Sequence, residues 1–242
     1  MQAYNERIDK ILAASGRLSR SEAKSAAKAG LITVNGKRVF DCSVKVTERD
    51  ALCLDGEEIV YSKYIYILLN KPEGYVCSTD RRDGLPVMSI FGDRFGSHKV
   101  SPVGRLDKNT TGALLLTDDG VLGHMLLSPS KHVDKIYRCT CISEITDDYI
   151  SAFASGVDIG GEHPTLPAEL VITGSNTAML TLHEGKFHQV KRMFEAMGNR
   201  ITALHRHSFA SLTLDGLETG EWRFLTSAEI ERLFGFCGKT VQ

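Results

Sequence analysis

Gly104-Arg105-Leu106-Asp107-Lys108-Asn109-Thr110-Thr111-Gly112, running directly into the apolar Ala113-Leu114-Leu115-Leu116, is the stretch on which the reading of this chain depends. An extended backbone places Arg105 and Asp107 on one side and Leu106 on the other, so that leucine anchors the segment while an arginine and an acid face one cleft. The glycines permit backbone conformations closed to other residues, and Asn109, Thr110 and Thr111 can bond their own main chain in a tight turn. The segment is a rigid mount for a single nucleophilic carboxylate, Asp107. The same residues also fit a surface turn whose Arg105 and Asp107 form an exposed ion pair worth under about 1 kcal/mol.

The apolar run that follows reads as a strand, and further strands are expected at Tyr64 to Leu69, Lys135 to Ile142, Met179 to Leu182 and Ser211 to Leu214. Helices are expected from Gly120 to Leu127, across Thr146 to Ala154, from Gln189 to Met197 with a stop at Gly198, and after the capping box Thr226-x-x-Glu229. Strands and helices do not alternate as a doubly wound parallel sheet requires. The expectation is an α+β catalytic domain with a mixed, mainly antiparallel sheet flanked by helices. Asp118 and Asp119 complement a helix N-terminus.

Upstream, the net charge of −1 hides a basic island. Arg7, Lys10, Arg17, Arg20, Lys24, Lys28, Lys37 and Arg38 face only Glu6, Asp9 and Glu22 before Val39. Ile8, Ile11 and Leu12 have helical spacing, with Gly16 placed to end that helix. Ser19-x-x-Glu22 caps a second helix that stops at Gly30. Asn35-Gly36 then joins Leu31–Val34 to Lys37–Val39 as a type I′ hairpin, and Asp55-Gly56 marks another between Leu52-x-Leu54 and Ile59. Such a helix-hairpin module with dispersed cations suits tracking of RNA or DNA phosphates, and the same cations also fit a solvated helix face. The boundary is expected at 60 to 64, giving a nucleic-acid-binding domain over 1–60 and a catalytic domain over 61–242.

Several classes fall away. No apolar run approaches the roughly 18 residues of a membrane helix, and charges stand where a secretory signal would be apolar, so a cytoplasmic chain is expected. The six cysteines contain no CxxC pair, and Cys139-x-Cys141 reads as two residues on one strand face rather than a zinc clamp. His183, His188, His205 and His207 carry no metal-ligand spacing, so no metal is expected. A hydrolase with paired carboxylates lacks a second acid in a segment as specialised as that of Asp107.

Four segments in order, Lys71-Pro72-Glu73-Gly74-Tyr75, GRLDKNTTGALLLTDDG from Gly104, LLSPSKHVDKIY from Leu126 and EGKFHQVKRMF from Glu184, resemble the RsuA-like pseudouridine synthases, which isomerise uridines in ribosomal RNA. Arg7–Val39 resembles the ribosomal-protein-type RNA-binding domain found in rRNA-modifying enzymes and tyrosyl-tRNA synthetases. The resemblance implies Asp107 as nucleophile, Tyr137 as the aromatic stacked on the target uracil, Lys191 as the basic partner of the carboxylate, and Arg105 as the residue that holds the flipped nucleotide or fills its vacancy. Helical geometry agrees for Lys191: Val190, Met193, Phe194 and Met197 form an apolar stripe with Lys191 on its flank, while Arg192 points outward toward RNA. Without the resemblance Lys191 would pair with Glu195 on the surface. His188 and Gln189 are read as backbone hydrogen-bonding residues, and Lys71 and Tyr75 as the cleft floor.

Moving a glycosidic bond from nitrogen to carbon changes no redox state, so no cofactor is implied. The uridine must be flipped from its stack and held. Asp107 then attacks the sugar or abstracts a ribose proton, and residue patterns leave both open. The expected partner is ribosomal RNA or a small-subunit assembly particle, the segment before Tyr137 resembling the small-subunit members. A large-subunit uridine and a noncatalytic ribosome-assembly protein are the competing readings. A monomer meets every requirement.

Overall fold

The computed structural model describes residues 4–15, 17–59, 61, 63–78, 80–92, 94, 95 and 98–238. They form two compact units, one taking the described residues up to Ile65 together with those of 91–100, the other Tyr66–Ile90 and the described residues from Ser101 to Gly238.

In the first unit the apolar spacing and turn chemistry produce the expected elements. Ile8, Ile11 and Leu12 line the buried side of the helix Ile8–Ala14, all at 0% exposure. The Gly16 stop lies outside the described residues. Ser19 accepts from the Glu22 amide and Glu22 reaches back to the Ser19 amide, so the capping box opens the helix Arg20–Lys28. Asn35 and Gly36, and likewise Asp55 and Gly56, take the paired positive φ angles of type I′ turns. The four strands Ile32–Val34, Lys37–Arg38, Leu52–Leu54 and Glu57–Glu58 close one sheet over a core of Ile8, Leu12, Ala27, Ile32, Val46 and Leu52. A short pair, Asn5–Arg7 with Lys45–Thr47, was not anticipated.

The second unit is built on a nine-stranded sheet whose main path runs Glu169–Gly174, Thr177–Leu182, Lys135–Cys141, Ile201–Phe209, Thr110–Thr117, Tyr66–Lys71 and Trp222–Phe224. Ser101–Pro102 adds to Thr110–Thr117, and Leu212–Thr213, a shortened form of the expected Ser211 to Leu214 strand, adds to Ile201–Phe209. Every recorded pairing in this sheet is antiparallel except that of Thr110–Thr117 with Ile201–Phe209. The helices Gly120–Leu127, Asp147–Ser155, Gln189–Ala196 and Ser227–Phe236 follow the expected positions within two residues. Asp119 caps the first by accepting from the Leu122 amide, and the Thr226–Glu229 capping box opens the last.

Two features of this sheet position the site. Gly112 lies at φ +107, and a Cβ there would sit 2.2 Å from the carbonyl oxygen of Arg206 on the parallel strand. Only glycine lets the two strands close here. Directly paired residues share a face, so the register aligns Leu180, Tyr137, Arg206, Gly112 and Lys71 in one row across five strands. Beneath the adjoining helix, Phe194 packs edge-on against Phe153 at 5.1 Å and tilted against Tyr149 at 5.8 Å, which fixes the helix Gln189–Ala196 by its apolar stripe.

Candidate active site

Asp107 sits in the loop that feeds the strand Thr110–Thr117. The segment Arg105–Asp107 is not paired in a sheet, yet its exposure alternates as an extended backbone requires: Arg105 is exposed, Leu106 buried and Asp107 half-buried. The Thr110 amide donates to the Asp107 carbonyl at 3.1 Å and closes a tight turn. The side chains of this turn behave differently from expectation. Asn109 accepts from Lys191, Thr111 Oγ1 lies 2.9 Å from His205 Nδ1, and Thr110 Oγ1 is buried with no partner among the described residues. The main chain alone closes the turn, which frees the side chains for contacts across the sheet.

Lys191 reaches inward from the first turns of its helix. Its Nζ donates to Asp107 Oδ2 at 2.5 Å and to Asn109 Oδ1 at 2.6 Å. The pair is partly sheltered, with 19% of the lysine side chain and 27% of the carboxylate side chain exposed. Glu195, the surface alternative, is not its partner. Eighty-four positions of sequence separate lysine and acid, so tertiary structure alone brings them together.

His188 belongs beside them, a correction to its reading as a backbone-bonding residue. It precedes the helix in a left-handed conformation, φ 51, its side chain makes no capping bond, and its Nε2 lies 3.5 Å from Asp107 Oδ1. His188 and Lys191 stand three positions apart, the spacing that places two side chains on one helix face, and that signal was available in the sequence. Gln189 does bond the backbone as expected: its Oε1 accepts from the Lys186 amide at 2.8 Å and its amide nitrogen donates to Glu184 at 2.8 Å.

Arg192 requires correction too. Its guanidinium donates to the carbonyls of Ile159 and Phe187, so it braces the turn before the helix instead of standing free for RNA. Arg105, in contrast, is exposed and makes no ion pair or hydrogen bond among the described residues.

Beneath the Asp107 loop lies Lys71, at 0% exposure. Its Nζ donates to Thr110 O at 2.8 Å, to Pro72 O and Asp107 O at 3.1 Å each, and reaches Lys108 O at 3.4 Å. One ammonium thus gathers the carbonyls of the loop that carries the acid. Burial pushes Lys71 down to about 8, against the pull of nearby Cys77, Asp107 and Glu73. The cleft floor expected at this position is an internal cation.

Tyr137 is buried at 8%, two strands away from Gly112 in the shared row. Its neighbour Arg206 is also inside, at 1% exposure, with Nε donating to Ala113 O at 2.6 Å and Cζ 5.0 Å from the ring centre of Phe209. Cys139 and Cys141 are buried on the same strand as Tyr137, and burial pushes the Cys141 thiol up to about 11, the behaviour of packing residues. Of the eight cations expected to bind RNA in the first unit, all are exposed. Arg7, Lys10 and Arg17 pair with Asp9, Glu6 and Glu57, while Arg20, Lys24, Lys28, Lys37 and Arg38 make no ion pair among the described residues.

A carboxylate held by an ammonium, in the loop that feeds the strand closing against Arg206 and Lys71, is placed to act on a polar substrate, and comparison with known proteins identifies its kind. The family model for RNA pseudouridylate synthases matches residues 65–196, and that for the S4 domain matches residues 6–52. The chain belongs to the RNA pseudouridylate synthase family. This synthase is 40% identical over 230 residues to the ribosomal small subunit pseudouridine synthase A of Haemophilus influenzae, covering 94% of this chain and 99% of that one. It is equally, 40%, identical to an uncharacterized RNA pseudouridine synthase of Bacillus subtilis, YtzG, over 233 residues, covering 94% and 98%. A solved structure described as a pseudouridylate synthase superposes with a TM-score of 0.67 at 38% identity, covering 94% of this chain and 99% of that one. Among the described residues no helix of the synthase is long and apolar enough to cross a membrane.

Proposed function

We propose that this synthase converts one uridine of small-subunit ribosomal RNA to pseudouridine, with Asp107 as the reacting carboxylate. The observation that carries the reading is the Asp107–Lys191 contact at 2.5 Å, which gives the acid a dedicated cation in a partly sheltered place. The naming of the Haemophilus influenzae relative supports the choice of subunit. A uridine stacked in folded RNA is beyond reach, so it is flipped out at a cost of a few kcal/mol and held by stacking and edge hydrogen bonds. Tyr137 supplies the stacking surface, and Arg105, exposed beside Leu106, takes the space or the phosphate that the flip leaves. The ionised carboxylate then acts at the ribose, either bonding to the anomeric carbon as the uracil leaves or removing the proton on the neighbouring carbon. Uracil turns and rejoins through carbon, with no atom gained or lost. Lys191 holds the carboxylate in its orientation throughout.

The first domain, residues 1–60, contributes affinity through its exposed cations, and residues 61–242 carry the chemistry. The synthase works as a monomer in the cytoplasm and needs no cofactor.

The test incubates purified protein separately with unmodified small-subunit and large-subunit rRNA and with assembly particles, and maps pseudouridine at single-nucleotide resolution. One new pseudouridine in the small-subunit RNA is expected, absent with Asp107→Asn. Modification confined to the large subunit would overturn the substrate, and turnover by folded Asp107→Asn would overturn the role of the acid.

A further inference from the structure

Phe187 is 73% exposed, the most exposed large hydrophobic side chain among the described residues. A phenyl ring left in water forgoes the gain of burying its apolar surface. Yet this ring is held, not loose. It stacks on the imidazole of His188, ring centres 3.8 Å apart and planes within 19°. Its carbonyl accepts from Arg192, whose other guanidinium nitrogen grips Ile159 O. The next residue, His188, is set in the left-handed region, a conformation that a side-chain-bearing residue adopts at a cost. The outcome is a two-ring stack whose inner member places Nε2 3.5 Å from Asp107 Oδ1 and whose outer member presents its open face to solvent.

We infer that the open face of Phe187 stacks an unpaired base of the RNA next to the uridine that reacts at Asp107, with His188 as the backing layer. The neighbourhood suits nucleic acid: Arg105 and Lys108 are exposed on the Asp107 loop, and Lys191 lies beside it. Single-stranded RNA is gripped through aromatic platforms combined with nearby cations, because every base has a π face. Flipping a uridine unstacks its neighbours as well. A rigid ring one layer outside the reacting centre recovers stacking for one of them and holds the RNA splayed while the uracil turns. The side chain touches a nucleotide that does not react, so it acts in positioning and affinity.

This inference rests on the reading of Asp107 as the reacting acid, and the two are tested by different readouts. Turnover of wild type against Asp107→Asn, on a small-subunit rRNA hairpin containing the mapped uridine, tests the acid. For Phe187 the full chain carrying Asp107→Asn is used, so that binding of the same hairpin is read without chemistry. Phe187→Ala should weaken binding about tenfold, within the roughly 5- to 150-fold that a base–aromatic stack supports, while Phe187→Trp should retain it. Because Trp222 is the single tryptophan of the chain, Trp222→Phe with Phe187→Trp leaves one reporter indole, whose emission should be quenched when the hairpin binds. With Asp107 intact, Phe187→Ala should raise KM more than it lowers kcat. An abasic nucleotide on one side of the uridine should abolish the difference in affinity between the protein that keeps Phe187 and the Phe187→Ala variant. Unchanged affinity of Phe187→Ala, or an indole that does not respond to the hairpin, overturns the inference. A loss that persists with abasic nucleotides on either side overturns the assignment to a flanking base.

Discussion

Replacing Lys71 by methionine should unsettle the fold of the catalytic unit more than it slows the reaction. The ammonium has three protons to donate and four carbonyls within reach, three of them at 3.1 Å or less. Hydrogen bonds to a charged group contribute about 1.5 to 3 kcal/mol each. Against this stands the cost of keeping the charge inside: a lysine that ordinarily titrates at 10.5 and here titrates at about 8 carries roughly 3 kcal/mol of unfavourable burial at neutral pH. The balance is a net loss of about 2 to 5 kcal/mol on Lys71→Met. At about 2 to 4 °C per kcal/mol for a domain of this size, Tm should fall by roughly 4 to 20 °C. The Asp107 loop keeps its Lys191 pair, its Thr110 turn bond and the bond from the Gly74 amide to Lys108 O, so kcat at 25 °C should fall by less than about tenfold. The pH dependence has a definite sign. Between about 8 and 10.5 the unfolded chain holds the Lys71 proton and the folded chain does not, so the stability of wild type from this group rises with pH across that window. Urea unfolding of both proteins from pH 7 to 10 should therefore show the gap between them widening. An unchanged Tm, or a gap that narrows as pH rises, would refute the picture of a costly internal cation gathering the loop.

Lys191→Met removes the cation from a partly exposed carboxylate and should lower kcat about 30- to 150-fold, a loss of roughly 2 to 3 kcal/mol; Lys191→Arg should recover part of it, and wild-type turnover by the methionine variant at neutral pH would return the pair to a surface role. Neutralising Arg20, Lys24, Lys28, Lys37 and Arg38 together should reduce the slope of log K against log salt for rRNA binding by about 3.5 to 4.5, one phosphate per cation; an unchanged slope in a salt titration would leave them as a solvated face. Glu229, held by two hydrogen bonds from Arg223 and pushed down to about 2, contributes stability that is present above 4.5 and lost as pH falls toward 2. Glu229→Gln should thus destabilise by about 3 kcal/mol at pH 7, and denaturation midpoints that still differ by that amount at pH 2 would contradict it.

Local chemistry was legible and long-range chemistry was not. Capping boxes at Ser19 and Thr226 and the Asn35-Gly36 and Asp55-Gly56 turns act over four residues or fewer, so the sequence displays them whole. The central strand Ile201–Phe209 escaped detection because His205, Arg206 and His207 interrupt its apolar alternation. Arg206 nonetheless faces inward, a place the pattern reserves for apolar residues. Glu169–Gly174 lies toward the sheet edge with an exposed glutamate and Val171, and Trp222–Phe224 is only three residues long, so neither shows a buried period. Asp107 and Lys191 were both legible as candidates, the lysine only through family resemblance, since i,i+4 spacing alone favoured Glu195. Lys71 was legible as a neighbour of the site but not as its internal support, because carbonyl partners leave no trace in residue types.

The parallel pairing of Thr110–Thr117 with Ile201–Phe209 joins segments more than ninety positions apart, Gly112 with Arg206, and Lys191 comes from the same late part of the chain. A chain leaving the ribosome from its N-terminus can complete the helices and hairpins of the first unit from near neighbours, while the acid waits for residues not yet made. If the first unit binds RNA as proposed, the newborn synthase would grip RNA before it could react with it. On the proposed reading its catalytic competence waits until the strand after Gly198 has emerged and inserted beside Gly112, so a chain cut short before that strand would hold its Asp107 loop on Lys71 without the sheet closed beside Gly112.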